Sequence, residues 1–138
     1  MVELVLVIAV AGILAAVAVP RMMGRTGFDT RGFADQLSAT VRFAQKLAVA
    51  QRREVCVSLT ANDATLWYDA ACATPAPGPG GEKPYTITAP GGVTITPAMV
   101  LRFRNGGVPD LAAQLAIQVN GTGMHTILVE QETGYVHD

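Results

Sequence analysis

The stretch that decides the fold is the N-terminal segment 1–20, which reads MVELVLVIAVAGILAAVAVP. Residues 4–19 are all Leu, Val, Ile, Ala or Gly, and no later part of the chain has a comparable apolar run. As an α-helix this run would be about 24 Å long, against roughly 30 Å for the hydrocarbon core of a bilayer. The segment is therefore predicted to be an apolar helix, at the short end of those that span a membrane.

A secretory signal peptide is the main alternative interpretation of this segment. Signals carry Lys or Arg before the apolar run, whereas here no basic residue precedes it and Glu3 is present instead. The small residues that a signal peptidase needs are also poorly placed, because Ala16-Val17-Ala18 leads directly into Val19-Pro20. Cleavage after the run is not expected.

Glu3 is the most unusual residue of the segment. An ionised carboxylate among apolar residues is expensive to place in lipid, so such residues usually have a partner or a function. The alternative for an isolated anchor is a carboxylate that lies at the headgroup level and is simply hydrated.

The whole segment resembles the N-terminal helix of type IV pilins and type II secretion pseudopilins. In those proteins a Phe-Thr-Leu-Ile-Glu-Leu segment leads into an apolar helix that ends in Ile-Leu-Ala-Ala-Ile-Ala-Val-Pro. The match extends from Glu3 to Pro20 and includes the spacing between them. The basic leader and the N-methylated Phe of the family have no counterpart in the sequence, so processing by a prepilin peptidase is expected from the resemblance alone.

The resemblance implies roles for two residues in subunit assembly. Glu3 would pair with the terminal ammonium of a neighbouring subunit, an attraction that is little screened in an apolar environment. Pro20, which lacks an amide donor, would cap or kink the helix. Other pilins would bind through this helix, and an inner-membrane platform would assemble them. The protein would first lie in the inner membrane as a single-pass protein with a periplasmic head, and then in a pilus on the cell surface.

Residues 21–32 are predicted to be a flexible or partly unwound segment, because Gly24 and Gly27 follow Pro20. A globular head is predicted over 33–138, beginning with a helix at 33–53. In that helix, apolar residues recur at the helical period and form a stripe for packing against a sheet; they are Phe33, Leu37, Val41, Ala44 and Ala48.

Six to eight short antiparallel strands are predicted after this helix, at 55–59, 65–68, 85–88, 93–96, 101–103, 115–119 and 126–129, with a final edge at 135–137. Residues 61–63 and 120–124 are read as hairpin turns. One helix in front of such strands is an α+β head. Residues 73–84 contain four prolines and three glycines and are predicted to form an exposed loop, favoured as a spacer over a binding loop.

The head is similar to the minor pilins and pseudopilins of the GspH/FimT group. The resemblance lies in the helix end 43–52, in the Phe-x-x-x-Gly loop that begins at Phe103, and in the ending Thr133-Gly134-Tyr135-Val136. The phrases 29–37 and 132–137 resemble in particular the minor pilins of the mannose-sensitive haemagglutinin (MSHA) pilus. These resemblances imply a pilin-like fold. They also imply a minor pilin that primes assembly, lies at the tip or contributes to adhesion.

Cys56 and Cys72 are the two cysteines of the chain. In an exported head they are predicted to form a disulfide across the first hairpin, the alternative being two separate buried thiols.

No catalytic constellation is visible, and neither an enzyme activity nor a cofactor or small-molecule substrate is expected. His125 and His137 have no metal-ligand spacing to a cysteine or to each other. Arg102 and Arg104 are candidate contacts for nucleic acid, but two arginines in a chain of net charge -1 make a weak electrostatic footprint. A type II secretion pseudopilin and a DNA-binding minor pilin of the FimT type therefore stay as alternatives.

Overall fold

The structure is a computed structural model that describes residues 2–23 and 26–138. The described residues form two helices and nine strands. The helices are α1, Val2–Met23, and α2, Thr26–Gln51. The strands are β1 (Val55–Leu59), β2 (Asp63–Tyr68), β3 (Thr74–Pro75), β4 (Thr86–Thr88), β5 (Thr94–Thr96), β6 (Met99–Phe103), β7 (Leu115–Asn120), β8 (Met124–Val129) and β9 (Val136–His137).

The helix bounds differ from the sequence prediction around Pro20. Helix α1 does not end at this proline but continues to Met23, and α2 begins at Thr26 rather than at residue 33. A carboxylate in the first turn, that of Asp29, favours this early start because it faces the positive end of the helix dipole. Residues 21–23 and 26–32 are thus helical where an unwound segment was expected. Gly24 lies outside the described residues.

The C-terminus of α2 is set by the backbone of the next residue. Arg52 has a φ of 48°, in the left-handed region that commonly follows the last helical residue. The helix therefore ends at Gln51, two residues before the predicted end at residue 53.

Two antiparallel sheets form the body of the head. Sheet A has the strand order β3-β2-β1-β6, with β4 also paired to β2, and sheet B has the order β5-β7-β8-β9. The hairpins predicted for 55–68 and 115–129 are confirmed, since β1 pairs with β2 and β7 pairs with β8. Strands β4 and β5 belong to different sheets, so the turn of Pro90, Gly91 and Gly92 between them connects the two sheets instead of closing a hairpin.

Helix α2 packs across both sheets and closes one hydrophobic core. Its side chains at the predicted stripe positions are buried, with Leu37 and Val41 fully inaccessible. They contact β1 and β6 of sheet A and β7, β8 and β9 of sheet B. The sheet contribution comes from alternate positions of each strand, such as Val57 with its register partners Leu66 and Leu101. The predicted α+β class and core face of α2 are therefore confirmed.

The Pro-Gly segment 73–84 is more ordered than the predicted exposed loop. It contains the short strand β3 and the fully buried Ala76. The oxygen of Ala76 accepts a hydrogen bond of 3.0 Å from the amide of Tyr85, and the Tyr85 ring meets the Phe43 ring of α2 edge-on at 6.1 Å. The prolines are compatible with this order because β3 is an edge strand, where a missing amide donor costs little.

Candidate assembly surface

The large apolar side chains of α1 are exposed between Val2 and Leu14. Exposure is 81% at Val2, 68% at Leu4 and 67% at Ile13, and it falls only to 48% at Val10. No described residue of the head covers this surface. Exposed apolar patches of this extent mark a surface that binds a partner or a membrane.

The length and hydropathy of α1 bear on whether this helix spans a membrane. Among the residues described, no helix has both the length and the hydropathy that a membrane-spanning segment requires. The membrane-spanning role expected for residues 1–20 stays a prediction.

Glu3 lies in the first turn of α1, where its negative charge is favourable to the helix dipole. Its side chain is exposed, and within residues 2–23 and 26–138 no cation forms an ion pair with it. The carboxylate is thus available to a group outside the subunit. Its pairing with a neighbouring subunit, and the assembly role of Pro20, stay predictions.

One glutamine of α2 joins the two loops of the head that carried the GspH/FimT resemblance. The Nε2 atom of Gln45 donates to the backbone oxygen of Gly107 at 3.1 Å and to that of Thr133 at 2.8 Å. One turn earlier, Arg42 donates through Nε to the oxygen of Val136 at 3.2 Å. The helix end, the loop after Phe103 and the C-terminal ending therefore meet in space. No pattern of residue spacing in the sequence predicted this junction.

Two glycines allow the loops to approach the helix at this junction. Gly107 has a φ of 78° and Gly134 a φ of 68°, both in the region that favours glycine. A Cβ atom on Gly134 would lie 2.6 Å from Nε2 of Gln45 and 2.7 Å from the oxygen of Gly107. Both the backbone conformation and the available space require glycine here.

The predicted disulfide between Cys56 and Cys72 is confirmed, with Cα atoms 5.7 Å apart. Arg53, in the segment between α2 and β1, contacts the end of β2 close to this bridge in the chain. The Arg53 guanidinium forms an ion pair with Asp69 at 2.9 Å and lies over the Tyr68 ring, 4.4 Å from its centre. The hydrogen bond from Arg53, followed by one that involves Thr74, lowers the pKa of Asp69 below its ordinary value.

The candidate nucleic-acid contacts do not form a cationic cluster. Arg102 is exposed on β6, whereas Arg104 follows that strand and forms an ion pair with Asp110 at 2.5 Å. The carboxylate of Asp110 beside Arg104 would repel a phosphate that approached this guanidinium. The nucleic-acid role of Arg102 and Arg104 stays a prediction.

The two histidines lie in different surroundings. His137, on β9, has Nε2 at 3.0 Å from Oε1 of Glu130, and the same carboxylate oxygen accepts a hydrogen bond of 2.6 Å from Gln114. The His137 contact is the larger of two causes that lower the pKa of Glu130, the Gln114 hydrogen bond being the second. His125 is half-buried on β8 beside a polar cavity. Over the described ranges, no three His, Cys, Asp or Glu side chains are grouped to hold a metal ion.

The apolar N-terminal helix and the α+β head together form a pilin-like fold. The chain is similar in structure to the type IV minor pilin FimU of Pseudomonas aeruginosa strain PAO1. The TM-score is 0.62 at 14% sequence identity, and the match covers 78% of this chain and 85% of the FimU chain. No family model matches the sequence, and neither does a curated protein.

Proposed function

We propose that this protein is a minor pilin, a structural subunit that docks into a type IV pilus through its N-terminal helix. The observation that carries the proposal is the contrast between the two parts of the chain. The head buries its own apolar residues in a closed core, while the large apolar residues of α1 between Val2 and Leu14 remain exposed. Leaving each such side chain in water costs on the order of 1.5–3 kcal/mol relative to burial, so α1 requires either lipid or sister helices around it.

Glu3 supplies the specificity that apolar contact lacks. A helix with apolar side chains on every face can slide along its neighbours with little change in energy, because apolar attraction is not directional. An exposed carboxylate in its first turn favours the stagger at which it meets a cation, here the terminal ammonium of the next subunit. In an apolar fibre core an unpaired carboxylate would be strongly unfavourable.

Two observations support the assignment to the minor pilins, and the second also favours one kind of pilus. The first is the structural likeness to a protein that is itself a type IV minor pilin. The second is the resemblance of residues 29–37 and 132–137 to the MSHA minor pilins, which favours a subunit similar to MshC with a role in priming, at the tip or in adhesion. Before assembly, α1 would hold the subunit at the inner membrane with its head in the periplasm, in contact with the assembly platform.

The other two candidate functions receive less support. No feature of the head favours a type II secretion pseudopilin over a pilin. A DNA-binding minor pilin is disfavoured because Arg104, one of the two candidate phosphate contacts, is paired with the carboxylate of Asp110.

The test is the recovery of full-length variants in sheared fibres. Glu3→Ala is expected to lower incorporation at least about tenfold, which corresponds to about 1.4 kcal/mol, while the Cys56–Cys72 disulfide still forms. Glu132→Ala, which removes an exposed carboxylate from the head, is the matched control and should incorporate as the wild type does. Equal recovery of both variants would contradict the proposal.

A further inference from the structure

The chain contains the dipeptide Asn-Gly twice, at Asn105-Gly106 and at Asn120-Gly121. An asparagine loses its side-chain nitrogen fastest when glycine follows it, because glycine has no Cβ atom to hinder attack by its own main-chain nitrogen. The two copies share this local chemistry. Any large difference in their reactivity must therefore come from the folded structure.

Asn105 and Gly106 lie at the tip of an exposed turn between β6 and β7. The amide of Gly107 donates a hydrogen bond of 2.7 Å to the oxygen of Arg104, which leaves Asn105 and Gly106 at the two central positions of the turn. Both are exposed, and a Cβ atom on Gly106 would have no other atom within 4 Å. In the part of the chain that the structure describes, no group forms a hydrogen bond with the Asn105 side chain or the Gly106 amide. The two groups that would react with each other are therefore accessible and unrestrained.

The second dipeptide is held in place by the fold. Asn120 is half-buried at the end of β7, between β5 and β8, and its Nδ2 donates to Oγ1 of Thr96 at 3.1 Å. The amide of Gly121 donates to the oxygen of Gly123 at 2.9 Å, and a Cβ atom on Gly121 would collide with Thr30. Attack by the Gly121 nitrogen thus requires that these contacts first open.

We propose that Asn105 is a site of spontaneous deamidation in the folded protein, with solvent water as the co-reactant. The deprotonated main-chain nitrogen of Gly106 attacks Cγ of Asn105, a new C–N bond forms, and the bond from Cγ to Nδ2 breaks with release of ammonia. Water then opens the resulting succinimide at one of its two carbonyl carbons. One asparagine and one water thus become one aspartate or isoaspartate and one ammonia, with no oxidation or reduction.

The modification changes the turn in two ways. A carboxylate at position 105 adds negative charge to a chain of formal net charge -1, beside Arg104, which pairs with Asp110. In isoaspartate the main chain also passes through one additional carbon, close to the Gly107 oxygen that Gln45 binds at 3.1 Å. The isoaspartate product therefore loosens the link between α2 and this loop.

Mass spectrometry of peptides from the aged full-length protein tests the proposal. In the folded protein, Asn105 should deamidate at least about tenfold faster than Asn120, because only the second dipeptide must open before it reacts. In guanidinium the difference should fall below about threefold, since the fold no longer separates the two dipeptides. Equal rates in the folded protein would overturn the proposal, and so would a difference that persists unchanged in guanidinium.

A pair of glycine variants tests the attacking atom. Gly106→Ala adds a Cβ atom where there is space for it, and it should slow deamidation of Asn105 at least about tenfold by hindering the attack. Gly91→Ala, which also meets nothing within 4 Å, is the matched control and should leave the rate unchanged. Equal rates in the two variants would exclude the Gly106 nitrogen as the attacking group and overturn the proposal.

The effect on the turn has its own measurement. The isoaspartate form, separated by ion exchange, should unfold at a lower denaturant concentration than Asn105→Asp, which carries the same charge on an ordinary main chain. Equal midpoints would show that the link to Gln45 is not loosened. None of these measurements uses fibres, so their outcome is independent of the proposed function.

Discussion

The side-chain amide of Gln45 donates a hydrogen bond of 2.8 Å to the backbone oxygen of Thr133, which lies 88 positions later in the chain. The same nitrogen also donates to the backbone oxygen of Gly107, in the loop that follows β6. One side chain on α2 therefore links the last turn of sheet B to the loop that leaves sheet A. The helix end, the loop after Phe103 and the C-terminal ending, which are far apart in the sequence, therefore meet at one place in the head.

Replacement of Gln45 by Ala should destabilise the head by about 2 kcal/mol, because two backbone oxygens lose their donor. Denaturant unfolding of the full-length protein, followed by circular dichroism, measures this change. Lys46→Ala is the matched control: it lies one residue further on an exposed face of the same helix, so its effect should stay within about 0.5 kcal/mol. Equal losses in both variants would contradict the role of Gln45.

A glycine at position 134 should be required for the same junction. Gly134→Ala combines a φ of 68° with a Cβ atom placed 2.6 Å from Gln45 Nε2, so we expect a loss of at least about 2 kcal/mol. Gly91→Ala is the control, since an added Cβ there meets nothing within 4 Å. Thermal unfolding compares the two variants. A Gly134→Ala protein as stable as Gly91→Ala would show that the junction tolerates a side chain.

The disulfide should contribute about 3 kcal/mol to the free energy of unfolding, as expected for a loop closed between residues 16 positions apart. The double variant Cys56→Ala and Cys72→Ala removes the bridge without leaving a buried thiol. Its denaturation midpoint should match that of the reduced wild type and lie below that of the oxidised wild type. Coinciding midpoints of oxidised and reduced protein would contradict this prediction.

Glu130 should make stability depend on pH in the acid range. Hydrogen bonds from His137 and then Gln114 hold the pKa of this carboxyl below its ordinary value of 4.5. A carboxyl whose pKa is lowered by folding stabilises the native state above its unfolded-state pKa, and this contribution disappears as the pH falls through the folded-state value. The wild type should therefore be more stable than Glu130→Gln above pH 4.5, and the difference should shrink below it.

Unfolding midpoints of the two proteins across this pH range test the prediction. Glu132→Gln serves as the control, because Glu132 is an exposed carboxylate two positions further along the chain. A constant difference between wild type and Glu130→Gln at all pH values would exclude titration of this carboxyl as its cause.

Much of the head could be predicted from local patterns. The core face of α2 followed from helical spacing, as Leu37 and Val41 show, and two hairpins followed from strands that flank short polar turns. The disulfide followed from two cysteines on either side of the first hairpin together with the expectation that the head is exported. These features depend on residues close in sequence or on pairing rules that hold in many folds.

Other features depend on contacts that local patterns do not contain. The start of α2 at Thr26 was missed because Pro20 and the nearby glycines indicated a break in the helix. The negative charge of Asp29 in the first turn of α2 instead favours a helix. The order within 73–84 was missed because proline and glycine content does not show that Ala76 is buried and that Tyr85 packs on Phe43.

By itself, the sequence determined that this protein has an apolar N-terminal helix, an acidic residue near its start and an α+β head, because hydrophobic period and composition are local properties of the chain. Only the tertiary structure decided that β4 and β5 enter different sheets and that Gln45 joins two distant loops. Those outcomes depend on which backbone donors and acceptors find partners far away in the chain, and that becomes defined only when the elements pack together.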